Sequence, residues 1–422
     1  MPFVSSEVSR LRRVVVHRPG PALQRMQPDH IDPRSSNYLL FDDLVHVPDA
    51  QREHDQLCRV LGAAAEVGFI DEMLVSTLEK SEARRFVIDE VCRLEDLTDQ
   101  AAQYLDGLNP KELTESLIAG VDAGVLHSGR GLDPLPNMLF TRDLAAVVGD
   151  VLIVGNARKR ARRRESILTW SLVMHHPWFQ DATISENCKW VRDSGGSFPL
   201  TVEGGDVLTL SSTLALIGAS ERTSWAMIVG LSRELVQHGF DSVMVVEMPK
   251  QRSSMHLDTV FTLIDHDKAV LYDPILSPGG REEVHCLRLS AGADGLVIHS
   301  CEGNLIESLA DSGAPLEAIA CGGDDPLTAQ REQWTDGANF LAISPGVVLC
   351  YARNQATAAS LQQSGYQVLS ANEFLQILQK DFGGNYDALA ESGQKMAIQI
   401  IGSELSRGRG GPRCLTMPLE RD

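Results

Sequence analysis

Short apolar runs recur along most of this chain, and they come in pairs. Asp143 opens LAAVVGDVLIVGN, Asp206 opens VLTLSSTLALIGAS, Asp258 opens TVFTLIDHDKAVLY, and Asn339 opens FLAISPGVVLCYARN. Turn formers split each pair: Gly149-Asp150, Ser211-Ser212, Asp265-His266-Asp267 and Ser344-Pro345-Gly346. Such runs around such residues predict β-hairpins. Helical patterns follow over 163–174, 224–237 and 354–363, and further strands are expected at 241–248 and 366–370. The repeated unit is therefore ββαβ. The run LRRVVVHRP near the N-terminus predicts one more strand, with a partner from elsewhere, such as the C-terminus. Units of this kind bury their apolar faces by packing on each other. A closed ring of them would bring the first residue of each opening strand toward a common centre.

Residues 50–125 carry a different pattern. Apolar positions at three- to four-residue spacing predict helices over 50–67, 70–94, 99–108 and 110–121. Asn109, Pro110 and Glu112 form a helix start, with Asn109 as N-cap, Pro110 in the first turn and Glu112 closing a capping box. The expected organisation is a β-rich domain of residues 1–49 and 126–422 with an inserted helical bundle, 50–125.

Composition narrows the function. Lys plus Arg total 38 and Asp plus Glu 57 in 422 residues, a formal charge of −19. That charge opposes broad binding to nucleic acid or an anionic membrane. The expectation is no nucleic-acid and no membrane partner; the charge is compatible with a small cationic substrate without pointing to one. No apolar run reaches transmembrane length, and the Met1-Pro2-Phe3-Val4 start lacks the features of a signal peptide. The eight cysteines are scattered, without a C-x-x-C pair. A reducing, cytoplasmic compartment is expected, with free thiols.

Several segments carry chemistry. Gly408, Gly410 and Gly411 form a loop before Cys414, with Arg409 and Arg413 beside it. Cationic neighbours favour a thiolate, which a nucleophile requires. His256 and Asp258 are two apart at a strand start, so both can face one ligand. As a metal pair they lack third and fourth ligands at usual spacing, and no metal is expected. Glu203 and Asp206 flank a Gly-Gly bend, and Asn137, Phe140 and Asp143 precede another hairpin. The basic run 158–164 is a solvated helix start or an anion site. No P-loop, nucleophile elbow or dinucleotide fingerprint is present.

In order, the segments LPNMLFTRD, EGGDVL, GASERTS, MHLDTVFT, AQREQWTDGANFLAISPGVVL and SRGRGGPRCLTMPL resemble arginine deiminases, as do SEVSRLRRVVVHRPG and LLFDDLVHV. The resemblance spans nearly the whole chain. It implies a five-bladed α/β propeller and a hydrolase converting L-arginine to L-citrulline and ammonia, without metal or organic cofactor. It places the nucleophile on Cys414, the general acid/base on His256 and its supporting carboxylate on Glu203. Asp143 and Asp258 become the guanidinium-binding carboxylates. Asn137, Phe140, Arg162, Arg222, Gly408 and Arg409 become substrate-binding residues, with Arg163 an alternative to Arg162 in the same basic run. It also implies a homo-oligomer, a dimer or tetramer.

Overall fold

Strands buried on both faces need apolar residues throughout, and AAVV and VLIV supply them. Ala145–Val148 pairs antiparallel with Val151–Val154 around Gly149, whose φ of 60° suits the tight turn. The computed structural model describes residues 1–188, 200–272, 276, 284–293 and 295–422. Within it the other three expected hairpins also form. They join Val207–Thr209 to Leu214–Ala219, Phe261–Asp265 to Lys268–Leu271, and Leu341–Ser344 to Val347–Tyr351.

A helix follows each hairpin: Arg163–His175, Trp225–Gln237, Leu305–Asp311 and Gln355–Gln363. In three units the next strand returns parallel to the hairpin's second strand. These strands are Thr183–Ile184, Ser242–Glu247 and Glu317–Ala320. In the fourth unit Met396–Ile400 lies between Val347–Tyr351 and Gln367–Ser370, parallel to both. The chain ends build a fifth unit. Leu11–Val16 pairs antiparallel with Met417–Arg421, and after the helix Val47–Ala64 the strand Glu66–Phe69 returns parallel to Leu11–Val16. The N-terminal strand thus finds its expected partner at the C-terminus. The fold is mixed α/β, on five small sheets among the described residues.

Three local features differ from the sequence pattern. The first helix stops at Ala64, because Ala65 is extended and 66–69 supply the third strand of the fifth sheet. The expected helix 70–94 divides into Ile70–Leu78 and Ser81–Glu95, with Lys80 extended between them. A further hairpin, Cys286–Gly292 with Gly295–Ser300, extends the second unit's sheet beyond Ser242–Glu247. The capping box at Asn109 forms, with 3.0 Å bonds in both directions between Asn109 and Glu112. Such a cap contributes roughly 1 kcal/mol.

The helices of 47–119 divide between two cores. Leu57, Val60 and Leu61 pack with Leu11, Phe41, Leu341 and Cys414. Leu74, Val91, Leu105 and Leu117 pack with Ile153, Ile167 and Leu172. No helix among the described residues is long and apolar enough to cross a membrane.

Candidate active site

Three units enter their first strand through a 3-10 turn: Thr141–Asp143, Gly204–Asp206 and Leu257–Thr259. The tight turn turns the acidic side chain off the strand line. Gly204 and Gly205 allow these turns to touch. A Cβ on Gly204 would lie 2.1 Å from the Arg142 carbonyl oxygen, and one on Gly205 2.7 Å from His256 Nδ1. The result is one buried cluster. His256 Nε2 lies 2.9 Å from Glu203 Oε2, and His256 Nδ1 is 3.7 Å from Asp143 Oδ1. Gly205 N–H also donates to Asp143 Oδ1, at 3.1 Å.

Burial alone would depress the His256 imidazole. Asp143, Glu203 and Asp206 outweigh it and raise His256 to about 9. The ring is therefore an imidazolium at neutral pH and can give a proton. Burial opposes ionisation of Glu203, but Arg222, Arg162 and His256 hold its carboxyl well below the ordinary range.

Cys414 stands at the entrance to the fifth unit's closing strand. Asn339, at the corresponding place in the fourth unit, clamps it. Asn339 Nδ2 donates to Cys414 Sγ at 3.2 Å, and Cys414 N–H donates to Asn339 Oδ1 at 3.1 Å. Asp258 Oδ2 lies 3.5 Å from Sγ, and Asp258 Oδ1 is buried without a hydrogen-bond partner. The expected cationic activation of the thiol is not what the geometry delivers. Burial, then Asp258, Asp143 and Asp336, push the thiol well above its ordinary range, with Arg413 opposing. Arg413 is turned to other work. Its Nε and Nη2 each donate to Glu7 at 3.0 Å, and its Nη1 donates to Asp258 at 2.8 Å.

Nine of the eleven sequence-derived site residues line one cavity: Asn137, Phe140, Asp143, Arg162, Arg222, His256, Gly408, Arg409 and Cys414. Glu203 and Asp258 stand directly behind it, on His256 and Cys414. Arg162, rather than Arg163, faces the cavity. Its Nη1 donates to Asp143 at 2.7 Å and to Glu203 at 3.0 Å, and its Nε donates to Glu165 at 2.9 Å. A guanidinium group is thus already seated on the Asp143–Glu203 pair, and the cavity holds only about 20 Å³. Arg222 Nη1 donates to Glu203 at 3.1 Å, while its buried Nε has no hydrogen-bond partner. Asn137 Nδ2 donates to the Leu39 carbonyl at 2.7 Å. Gly408 and Gly410 press against aromatic rings: a Cβ would lie 2.8 Å from Phe41 and 2.3 Å from Phe140 respectively. Arg409 lies with Cζ 3.6 Å from the centre of the Trp334 ring.

Asp143, Glu203 and His256 bring donor atoms within 4.8 Å of one another, a spacing a metal ion could use. Arg162 Nη1 engages Asp143 Oδ2 and Glu203 Oε2, so in this structure the cluster holds a guanidinium cation. Asp206 shares the sequence position of Asp143 and Asp258 but takes another part. Its Oδ2 accepts from Ser220 at 2.5 Å and Thr223 at 2.6 Å, and its Oδ1 from Leu257 N–H at 3.0 Å. Sequence reasoning assigned no role to Asn339, Arg252 or Glu7. Asn339 had a signal, as a strand opener; Arg252 lines the cavity four residues before His256; Glu7 had none. A larger cleft of about 550 Å³, between Ser211, Ser212, His266 and Pro315, contains none of these groups.

The architecture is shared with solved structures at low sequence identity. SxtG, an amidinotransferase from Microseira wollei, superposes with a TM-score of 0.53 at 12% identity, over 100% of this chain and 97% of that one. Unliganded AgrE gives 0.52 at 13% identity, over 98% of this chain and 40% of that one. These define the fold class. Sequence defines the family. The arginine deiminase family model matches residues 37–121 and 93–421. An arginine deiminase of Rhodococcus erythropolis is 38% identical over 99% of this chain and 97% of its own length. One from Bacillus thuringiensis subsp. konkukian is 33% identical over 99% and 98%. The chain belongs to the arginine deiminase family.

Proposed function

We propose that this chain hydrolyses L-arginine to L-citrulline and ammonia through a covalent intermediate on Cys414. The observation that carries the proposal is the Arg162 guanidinium seated on Asp143 and Glu203, beside the His256 imidazolium. A site that holds one guanidinium in its own side chains has the charge and planar geometry to hold another.

In this reading the substrate guanidinium displaces Arg162 from Asp143 and takes the free Asp258 Oδ1. Its positive charge offsets the carboxylates that disfavour ionisation of Cys414, so the thiol releases its proton to solvent as substrate binds. The thiolate adds to the guanidinium carbon. His256 protonates the departing nitrogen, the C–N bond breaks and ammonia leaves. The thiouronium on Cys414 is then attacked by a water that neutral His256 deprotonates. The C–S bond breaks, the departing Cys414 sulfur takes the proton of the new hydroxyl to restore the thiol, and citrulline is released. Arg162, Arg222 and Arg409, with Asn137 and Phe140, hold the amino-acid end. Hydrogen bonds to charged groups contribute roughly 1.5–3 kcal/mol each, enough to orient the carbon.

The same proposal arranges the five units as blades of a closed α/β propeller, with Asp143, Asp258, Asn339 and Cys414 at their inner openings. The expected insertion of 50–125 shortens in this proposal to 70–125, because Val47–Ala64 and Glu66–Phe69 build the fifth unit. The eight free thiols support a cytoplasmic setting. Incubation with L-arginine tests the function: citrulline and ammonia form in equal amounts, and acid quenching during turnover leaves a mass adduct on the Cys414 peptide. Substantial turnover by Cys414→Ser, or agmatine turnover equal to that of arginine, would contradict it.

A further inference from the structure

Glu53 is a buried carboxylate in the middle of the helix Val47–Ala64, outside the catalytic cluster. Its side chain does not cap its own helix. Oε1 accepts from the backbone N–H groups of Ser403 at 2.9 Å and Glu404 at 3.1 Å; Oε2 accepts from Glu404 at 3.0 Å and Leu405 at 2.9 Å. One turn along the same face, Gln56 Oε1 accepts from Ile401 N–H at 2.8 Å. Glu404 answers in the other direction, its Oε2 accepting from His46 N–H at 2.6 Å. The helix therefore grips the backbone of 401–405.

That stretch opens the 3-10 turn Leu405–Gly408, which has no side-chain cap from its own N-cap residue, Glu404. A carboxylate on the first N–H groups of a turn fixes its position and favours its dipole. The turn ends on Gly408, and Arg409 follows at φ 65°, its N–H donating to the Ser406 carbonyl at 3.1 Å. Along this stretch, Arg353 reaches the Ser406 hydroxyl, Arg407 pairs with Asp43 at 2.7 Å, and the Arg409 side chain lies on Trp334 with Nη2 3.4 Å from the Ser253 carbonyl. The backbone is next held at Gly410, whose carbonyl accepts from the Tyr351 hydroxyl at 2.8 Å, and at Cys414, by Asn339. Glu53 holds the near end of this span and Asn339 the far end.

We propose that Glu53 is a positioning residue for substrate binding, fixing Gly408 and Arg409 through the backbone N–H groups of 403–405. The inference rests on the function proposed above. It separates Arg409 placement, at the Glu53 end, from thiol placement, at the Asn339 end.

The test compares the full-length wild type, Glu53→Gln and Glu404→Gln. Glu53→Gln replaces an acceptor by a donor facing N–H groups, and is expected to raise KM for arginine about tenfold with kcat within about twofold. Iodoacetamide labelling of Cys414 stays at the wild-type rate, and tryptic cleavage after Arg407 accelerates. Glu404→Gln shifts KM and cleavage in the same direction by less, and carries the test if Glu53→Gln does not fold. Unchanged KM and cleavage in the folded variants would overturn the proposal, as would loss of kcat and Cys414 labelling at constant KM. Absence of citrulline from the wild type would instead refute the function.

Discussion

Replacing Glu7 by Gln tests a distant support of Cys414, the proposed nucleophile. Glu7 is buried, and both its oxygens accept from Arg413 at 3.0 Å, with Arg142 Nη1 at 3.8 Å. Burial alone would raise its pKa; Arg413 and Arg142 override that and hold it at about 2, against an ordinary 4.5. A carboxylate with a depressed folded-state pKa stabilises the fold above its unfolded value. That contribution is lost as pH falls from 4.5 through about 2. At 1.36 kcal/mol per tenfold in proton affinity, the interval corresponds to about 3 kcal/mol. Glu7→Gln keeps the shape and removes the charge, leaving Arg413 with Asp258 and the Val207 carbonyl.

Urea unfolding followed by tryptophan fluorescence gives the readout. Near neutral pH the variant is expected to lose about 3 kcal/mol; by about pH 2 most of the difference closes, because wild-type Glu7 is itself becoming protonated. An equal deficit at both pH values would refute the reasoning. It would mean that Glu7 matters through packing rather than through its charge.

Three further outcomes are expected. His256, raised to about 9, stabilises the fold below its unfolded value, and this is lost as pH rises through about 9; kcat/KM should fall over the same interval, and a flat kcat/KM profile there would exclude its acid role. Asn339→Asp replaces the donor to Cys414 Sγ by a carboxylate, so iodoacetamide labelling at fixed pH should slow at least about tenfold; an unchanged rate would remove Asn339 from thiol control. Arg222→Ala should raise KM for arginine about tenfold, with a smaller fall in kcat because Arg222 also braces Glu203; an unchanged KM would remove it from substrate binding.

The repeating units were legible because each hairpin announces itself locally. Gly149 and Gly346 mark turns, and the apolar runs around them have no other use. Asp143 and Asp258 were legible for the same reason, as polar residues heading such runs. Asp206 shows the limit. Its local signal matches theirs, but Ser220 and Thr223 occupy its oxygens, and only folding brings those hydroxyls there. The thiol environment was misread for a related reason. Arg413 is adjacent to Cys414 in sequence, yet its guanidinium is committed to Glu7, 406 positions away. The strand at 66–69 was hidden because its partner, Leu11–Val16, lies across the helix Val47–Ala64.

The seated Arg162 bears on substrate choice under the proposed function. Three carboxylates hold it in a buried site: Asp143, Glu203 and Glu165. Substrate cannot take Asp143 until Arg162 yields it. A buried charge left wholly uncompensated costs about 3–5 kcal/mol; Arg162 deprived of Asp143 alone, without replacement, keeps Glu165 and Glu203, so its cost is a part of that. Free arginine brings the replacement, because its α-carboxylate can pair with Arg162 as its guanidinium takes over Asp143. A guanidine without a carboxylate brings none. Arg162 then either stays on Asp143 and blocks the seat, or leaves it underpaired at that cost. The discrimination arises from an exchange of partners between two guanidinium groups. Arg162 keeps the carboxylates paired in this structure, and under the proposed function the same residue selects the cation that displaces it.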